Sequence, residues 1–192
     1  SIPFSLRAVA RDPELASAYI SLSRIHSNLG GADRAREYAK LAYERRHRLT
    51  GRELLSVTYQ YHYEVSGNQT LATQTLEDWK QAFPVEFQPV NGLTLIHNFL
   101  GRFDRAVEEG QEAVRRNPSH GYPYSNLAHA FRGLGRFDRA RTTAEEAVAR
   151  DIETLPTRRL LYQLAIIAGA DDDAQRHAAW ARDRPREFDM VG

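Results

Sequence analysis

The hexapeptide Gly101-Arg102-Phe103-Asp104-Arg105-Ala106 returns letter for letter as Gly135-Arg136-Phe137-Asp138-Arg139-Ala140, 34 residues later. A period of 34 points to units built from two helices each, so the phase can be extended along the chain. Glycine recurs at Gly30, Gly67, Gly101, Gly135 and Gly169, with spacings of 37, 34, 34 and 34. Alanine keeps those spacings at Ala35, Ala72, Ala106, Ala140 and Ala174, and a third column holds Leu22, Tyr59, Leu93, Leu127 and Leu161. With glycine at roughly one residue in sixteen, four further coincidences in one column have odds of roughly one in 65,000. Chance duplication of a hexapeptide does not survive that figure.

Each column has a physical reason. The glycine follows an apolar helical run, where the chain needs the left-handed conformation that a Cβ penalises. The alanine, five residues on, lies early in the next helix and lets the paired helix approach closely. Asp104, Asp138 and Asp171 to Asp173 fall at helix starts, where they complement the dipole. Pro13, Pro84 and Pro118 mark turns between units. The spacing of 37 places three extra residues around His47 to Arg52. Thr50 to Glu53 has the form of a capping box, which predicts a helix start near Gly51. Helices are expected at about 15–29 with 32–48, 52–66 with 69–82, 87–100 with 103–116, 121–134 with 137–150, and 156–168 with 171–183, with no strands.

The 192 residues are 42% hydrophobic and 27% charged, which excludes wholesale disorder. The apolar run Leu164 to Ala170 falls far short of the ~20 residues needed to cross a bilayer, so no membrane insertion is expected. Twenty-six basic residues against twenty-five acidic ones leave +1, which gives no basic stripe for nucleic acid. The absence of cysteine excludes a disulfide scaffold and a thiolate metal site. The chain opens on Ser1-Ile2-Pro3-Phe4 with no targeting segment, and in mid-repeat, so it reads as a piece of a longer protein.

No catalytic constellation emerges. Gly133 and Gly135 form a lone GxG with Asp138 where a third glycine would be needed. Asp173 and His177 share a helix face, but two ligands are too few for a metal site. His26 and His97 occupy equivalent inward positions and read as core. Asn68-Gln69-Thr70 is a glycosylation sequon that coincides with a tight turn. The chain is expected to be no enzyme, with no cofactor and no metal.

The pattern resembles the tetratricopeptide repeat: 34 residues, two antiparallel helices, a glycine between them, alanine in the second and proline near the end of the unit. The resemblance covers roughly residues 4 to 184. It implies an all-α, right-handed superhelix of about five helix-turn-helix repeats, starting near 16, 53, 87, 121 and 155. Residues 1–14 would be the remnant of a preceding repeat helix, 15–186 the array and 187–192 a tail. The early tryptophan of the family is replaced by Tyr19, Ser56, Val90, Tyr124 and Arg158, and Trp79 stands where alanine is usual.

The run Arg7 to Ala16, with Ala18-Tyr19, Trp79-Lys80 and Phe83-Pro84, resembles more narrowly the repeat region after the catalytic domain of some bacterial serine/threonine protein kinases. Twenty-four arginines against two lysines fit a GC-rich bacterial genome.

At 100° per residue, Tyr124, Leu127, Ala128 and Phe131 share one side of their helix, with Tyr122, Ser125, His129 and Arg132 about 130° away. In tetratricopeptide arrays the second face lines a concave groove for peptides. Carried across, the expected groove comprises Arg24, Leu54, Tyr61, Asn91, Asn98, Tyr122, Ser125, His129, Arg132, Arg159 and Gln163. It has an apolar entrance at Ile20, Leu54, Val57 and Tyr61. The family's clamp on a C-terminal carboxylate is not matched around Asn126. Arg24, Arg132 and Arg159 against Glu64 favour a mildly acidic protein or peptide segment.

The expected function is therefore a protein-binding scaffold in bacterial signalling. A kinase regulatory module and a spacer that self-associates through Leu6, Val9, Trp180 and Phe188 are the alternatives. The expected setting is a soluble cytoplasmic domain, or the extracytoplasmic side of an anchored parent.

Overall fold

A computed structural model describes residues 2–182 of the chain. Phe188 and the tail 187–192 lie outside the described residues. Eleven α-helices are present and no strand occurs among the described residues. They are α1 (Ile2–Arg11), α2 (Ala16–Asn28), α3 (Ala32–Glu44), α4 (Gly51–Glu64), α5 (Gln69–Ala82), α6 (Gln88–Phe99), α7 (Phe103–Arg116), α8 (Gly121–Gly133), α9 (Phe137–Ala149), α10 (Leu155–Ile167) and α11 (Asp171–Arg182). The chain divides into two compact units. One holds α1–α5, up to Pro84, and the other holds α6–α11, from Val85 onward. No helix among the described residues is long and apolar enough to cross a membrane.

The glycine column ends the first helix of every pair. Gly101 and Gly135 both sit at φ +70. At the second of these turns the Gly135 N–H donates to the Arg132 carbonyl at 2.9 Å, and the Arg136 N–H to the Phe131 carbonyl at 2.9 Å. This pair of bonds satisfies carbonyls that a helix end would otherwise orphan. A Cβ built on either glycine would meet nothing within 4 Å. The requirement is therefore conformational, not steric. Asp151 forms the same motif at φ 57 after α9, with bonds to Val148 and Ala147.

The alanine column is what the helices close upon. Ala35, Ala72, Ala106 and Ala140 have no exposed surface. In the second unit α6 packs on α7, α7 on α8, and α6 also on α8, so α7 is gripped by two first helices, as α9 is by α8 and α10. Gly110 on α7 shows how tight that grip is: a Cβ there would lie 3.1 Å from the Leu127 Cβ and 3.2 Å from the Thr94 Cγ2. One core gathers Leu127, Phe131, Ala140, Ala144, Leu160, Leu161 and Leu164. In the first unit Tyr19, Ile20, Ala42 and Val57 form another.

Local differences from the sequence reading have local causes. α3 stops at Glu44, and Arg46–Arg48 form a 3-10 turn that takes up the insert. α4 does begin at Gly51, but Thr50 makes no side-chain cap. Gly51, at φ +54, swings the chain into the helix without one, and a Cβ built there would lie 3.6 Å from the Phe83 ring. The capping box lies instead at Thr154 and Thr157, whose hydroxyls and N–H groups bond reciprocally at 3.4 and 3.2 Å. Asn68, the sequon asparagine, caps α5 by accepting from the Leu71 N–H. Arg158, at the tryptophan position, pairs with buried Glu153 at 2.6 Å and lies over the Trp180 ring at 5.1 Å.

Two classes of substitution test this architecture in denaturant melts. Gly135→Ala should cost about 1–2 kcal/mol, because the left-handed conformation is the obstacle. Ala106→Leu or Ala140→Leu should cost about 1–3 kcal/mol by overpacking. Arg105→Ala, which removes an exposed pair with Glu108, should cost under about 0.5 kcal/mol.

Candidate peptide-binding faces

The first helices of the pairs present the residues expected to bind, and the fold sorts them into three groups. The first group is buried. Ser125 has no exposed surface, and Ile20 and Val57 are core at 4% and 1% exposure. These three are corrected from surface to interior. Their side of the helix meets the neighbouring first helix, as the packing of α2 on α4 and α6 on α8 requires.

The second group is tied within the array. The Asn126 Nδ2 donates to the Asn91 Oδ1 at 3.0 Å, and the Asn98 Nδ2 donates to the Asn126 carbonyl at 2.8 Å. Asn91 and Asn98 thus lace α6 to α8, which uses polar groups of the expected groove within the array. Tyr61 stacks on Tyr43 of α3, with centroids 3.9 Å apart, and Arg46 covers the far side of Tyr43 at 3.7 Å. Leu54 is half-buried. Tyr122 lies 5.7 Å from the His120 ring.

The third group is open and cationic. Arg132 of α8 and Arg159 of α10 are exposed. Arg132 donates to the Gln163 Oε1 at 3.5 Å. Neither arginine has an acidic partner among the described residues. Elsewhere acids stand close by: Asp33 for Arg36, Glu108 for Arg105, Glu112 for Arg115 and Arg116, and Glu146 for Arg150. Within reach of both arginines' charge lies half-buried His129, whose Nδ1 is 2.8 Å from the Ser125 carbonyl. That carbonyl can only accept, so Nδ1 carries the proton and neutral His129 keeps its Nε2 lone pair. Burial holds the imidazole below its usual value, and the charges of Arg132 and Arg159 push the same way. Half-exposed Ile166 continues the face. Arg24, in the first unit, is likewise exposed without an acidic partner among the described residues.

Other candidates dissolve on inspection. Asp173 pairs with Arg176, while His177 lies 3.4 Å from Arg158, so the two do not converge on a metal. No group of three metal-ligating side chains occurs among the described residues. His26 is buried, with its ring stacked on Tyr38 at 5.5 Å, and His97 is buried at the equivalent position.

The tetratricopeptide-repeat family model matches residues 15–53 and 124–155. No curated protein matches the chain by sequence. Among solved structures, a thermophilic TPR protein of Thermus thermophilus superposes with TM-score 0.70 at 18% identity, over 92% of this chain and 94% of that one. PilW, a widely conserved type IV pilus biogenesis factor, gives 0.60 at 14% identity, over 97% and 87%. MamA of Desulfovibrio magneticus RS-1 gives 0.57 at 16%, over 91% and 97%. The fold is that of the tetratricopeptide repeat proteins.

The histidines set an acid limit on stability. His26, His62, His120, His129 and His177 all lie below the ordinary 6.5, chiefly because burial disfavours the charged ring. Below about pH 6.5 the unfolded chain therefore binds more protons than the folded one. Stability should fall as pH drops from 6.5 through the depressed folded values. Urea midpoints at pH 7.5 and 5.5 check this: the midpoint should be lower at 5.5, and His129→Gln should shrink the difference.

Proposed function

We propose that this tetratricopeptide-type array is a non-catalytic protein-interaction module that holds an acidic, extended segment of a partner across α8 and α10. The observation that carries the reading is the pair Arg132 and Arg159, open to solvent and without an acidic partner among the described residues. In a chain whose other arginines so often meet a glutamate within one helical turn, two uncompensated guanidiniums that both act on His129 favour an external carboxylate or phosphate. Gln163 and the Nε2 lone pair of His129 supply polar specificity beside them, and Ile166 accommodates an apolar neighbour of the acid. Asn91 and Asn98 act indirectly, by fixing α6 against α8, and Tyr122 borders the same face.

The test is a peptide array graded in Asp and Glu content, followed by affinity measurements on the best binder. Acidic peptides should be preferred, and Arg132→Glu with Arg159→Glu should abolish binding while the melting temperature stays nearly constant. Affinity should fall as salt rises. It should also rise as pH is lowered from 7.5 to 6, because a bound anion raises the pKa of His129 and protonation then favours the complex. Acidic binders that ignore the double charge reversal would place recognition on another surface.

A further inference from the structure

The two copies of the repeated hexapeptide open α7 and α9, yet their phenylalanines meet different neighbours. Phe99, Gly133 and Ile167 are the last residues of α6, α8 and α10 and stand in one repeat column. Phe103 lies against the end of α8: a Cβ built on Gly133 would be 2.4 Å from its ring. Phe137 finds isoleucine at the matching position. Its ring has no equivalent seat and stays 45% exposed, while Ile167 stays 64% exposed. Both stand at the same end of the α9/α10 contact, where the Arg141 Nη2 donates to the Leu164 carbonyl at 3.3 Å. Phe99 is exposed although α8 packs on α6, and Gly133 is exposed although α10 packs on α8. The openness of this column therefore belongs to the turns themselves and not to either end of the array.

Charge around Phe137 and Ile167 is ordered. On one flank, at the start of α9, exposed Arg136 and Arg139 outnumber exposed Asp138. On the other, at the start of α11, Asp171 and Asp172 are exposed and Asp173 is held by Arg176. Arg136 has no acidic partner, and Asp171 and Asp172 no basic one, among the described residues. Because α8 packs on α10, these two turns are neighbours about 10 Å apart.

We infer that this edge is an interface with a second copy of the chain. The two-fold axis lies in the contact plane, passing Phe137 and Ile167 at right angles to the line between the two turns. An apolar spot with positive charge on one flank and negative charge on the other is its own complement under that rotation. The start of α9 in one copy then faces the start of α11 in its partner, twice over, and the apolar side chains meet at the axis. Removing Phe137 and Ile167 from water supplies the affinity, and the opposed flanks fix the register. A partner of uniform charge would suit one flank and be repelled by the other. The contact is small, so the dimer is a transient one. It uses neither Arg132, Arg159 nor His129, and either this interface or the peptide-binding face can fail without the other.

Analytical ultracentrifugation of the chain at concentrations up to about 0.5 mM reads the equilibrium. Dimers and no larger species are expected, because a two-fold contact closes on itself. Phe137→Ser with Ile167→Ser, both at exposed positions, should weaken dimerisation at least about tenfold. Arg136→Asp, and separately Asp171→Arg with Asp172→Arg, should each weaken it, since each sets flanks of like sign face to face. An equimolar mixture of these two charge variants should dimerise like the native chain, because every facing pair is then opposite in sign. A monomer throughout the range overturns the proposal and leaves the edge to a different protein. Larger oligomers, a dimer that ignores the serine pair, or a mixture that fails to recover also overturn it. So does a dimer dissolved by Leu6→Ser instead, which would place the contact on α1.

Discussion

Everything in this molecule depends on how closely two helices can approach a third. Second helices such as α7 and α9 bury only alanine and glycine, so two first helices can press against each of them at once. Gly110 marks the limit of that compression, with Thr94 and Leu127 both within 3.2 Å of where a single carbon would stand. Dispersion and burial at such distances supply the cohesion, since an alanine face offers little else. Long side chains from the first helices, such as Leu127, Phe131 and Leu161, provide the apolar area. The exposed salt bridges of α7 and α9 decorate this arrangement and do not hold it.

The turns obey a different constraint. A helix must end after a fixed number of residues or the next pair arrives out of phase. The left-handed glycine ends it and at the same time bonds the last carbonyls, so termination and satisfaction are one event. Asp151 shows that the motif tolerates another residue where its N–H and that of Ile152 find the same acceptors.

Those two constraints are periodic, which is why the helices and their junctions were legible in the sequence. The glycine and alanine columns report backbone conformation and close approach, and both are local consequences of residue type. The candidate site was legible only in part. Helical angle placed Ser125, Ile20 and Val57 on the outer face, yet a first helix in such an array has neighbours on several sides. An angle alone does not say which side is taken. Asn91 and Asn98 were read as ligand donors because their partner, Asn126, lies 28 to 35 residues away, beyond any pattern within one helix. Arg132 and Arg159 were readable because nothing near them in sequence neutralises them, and the fold brings nothing acidic among the described residues. Thr50 misled for a simpler reason: the capping letters were present, but Gly51 took over the turn.

The lacing of α6 to α8 through Asn126 also gives the pairs an order. The pairs are so alike that, on shape alone, neighbours could be exchanged and still stack. Asn126 offers its amide to Asn91 and its carbonyl to Asn98, and that three-point match exists for one predecessor only. At the next junction the position of Asn91 is occupied by Ser125, which is buried, and the position of Asn126 by Leu160. Transposing two pairs would lose both bonds and leave these half-buried amides facing leucine, a cost of about 0.5–1.5 kcal/mol for each bond. The asparagines work as addresses: they make a chain of near-identical modules impossible to shuffle silently.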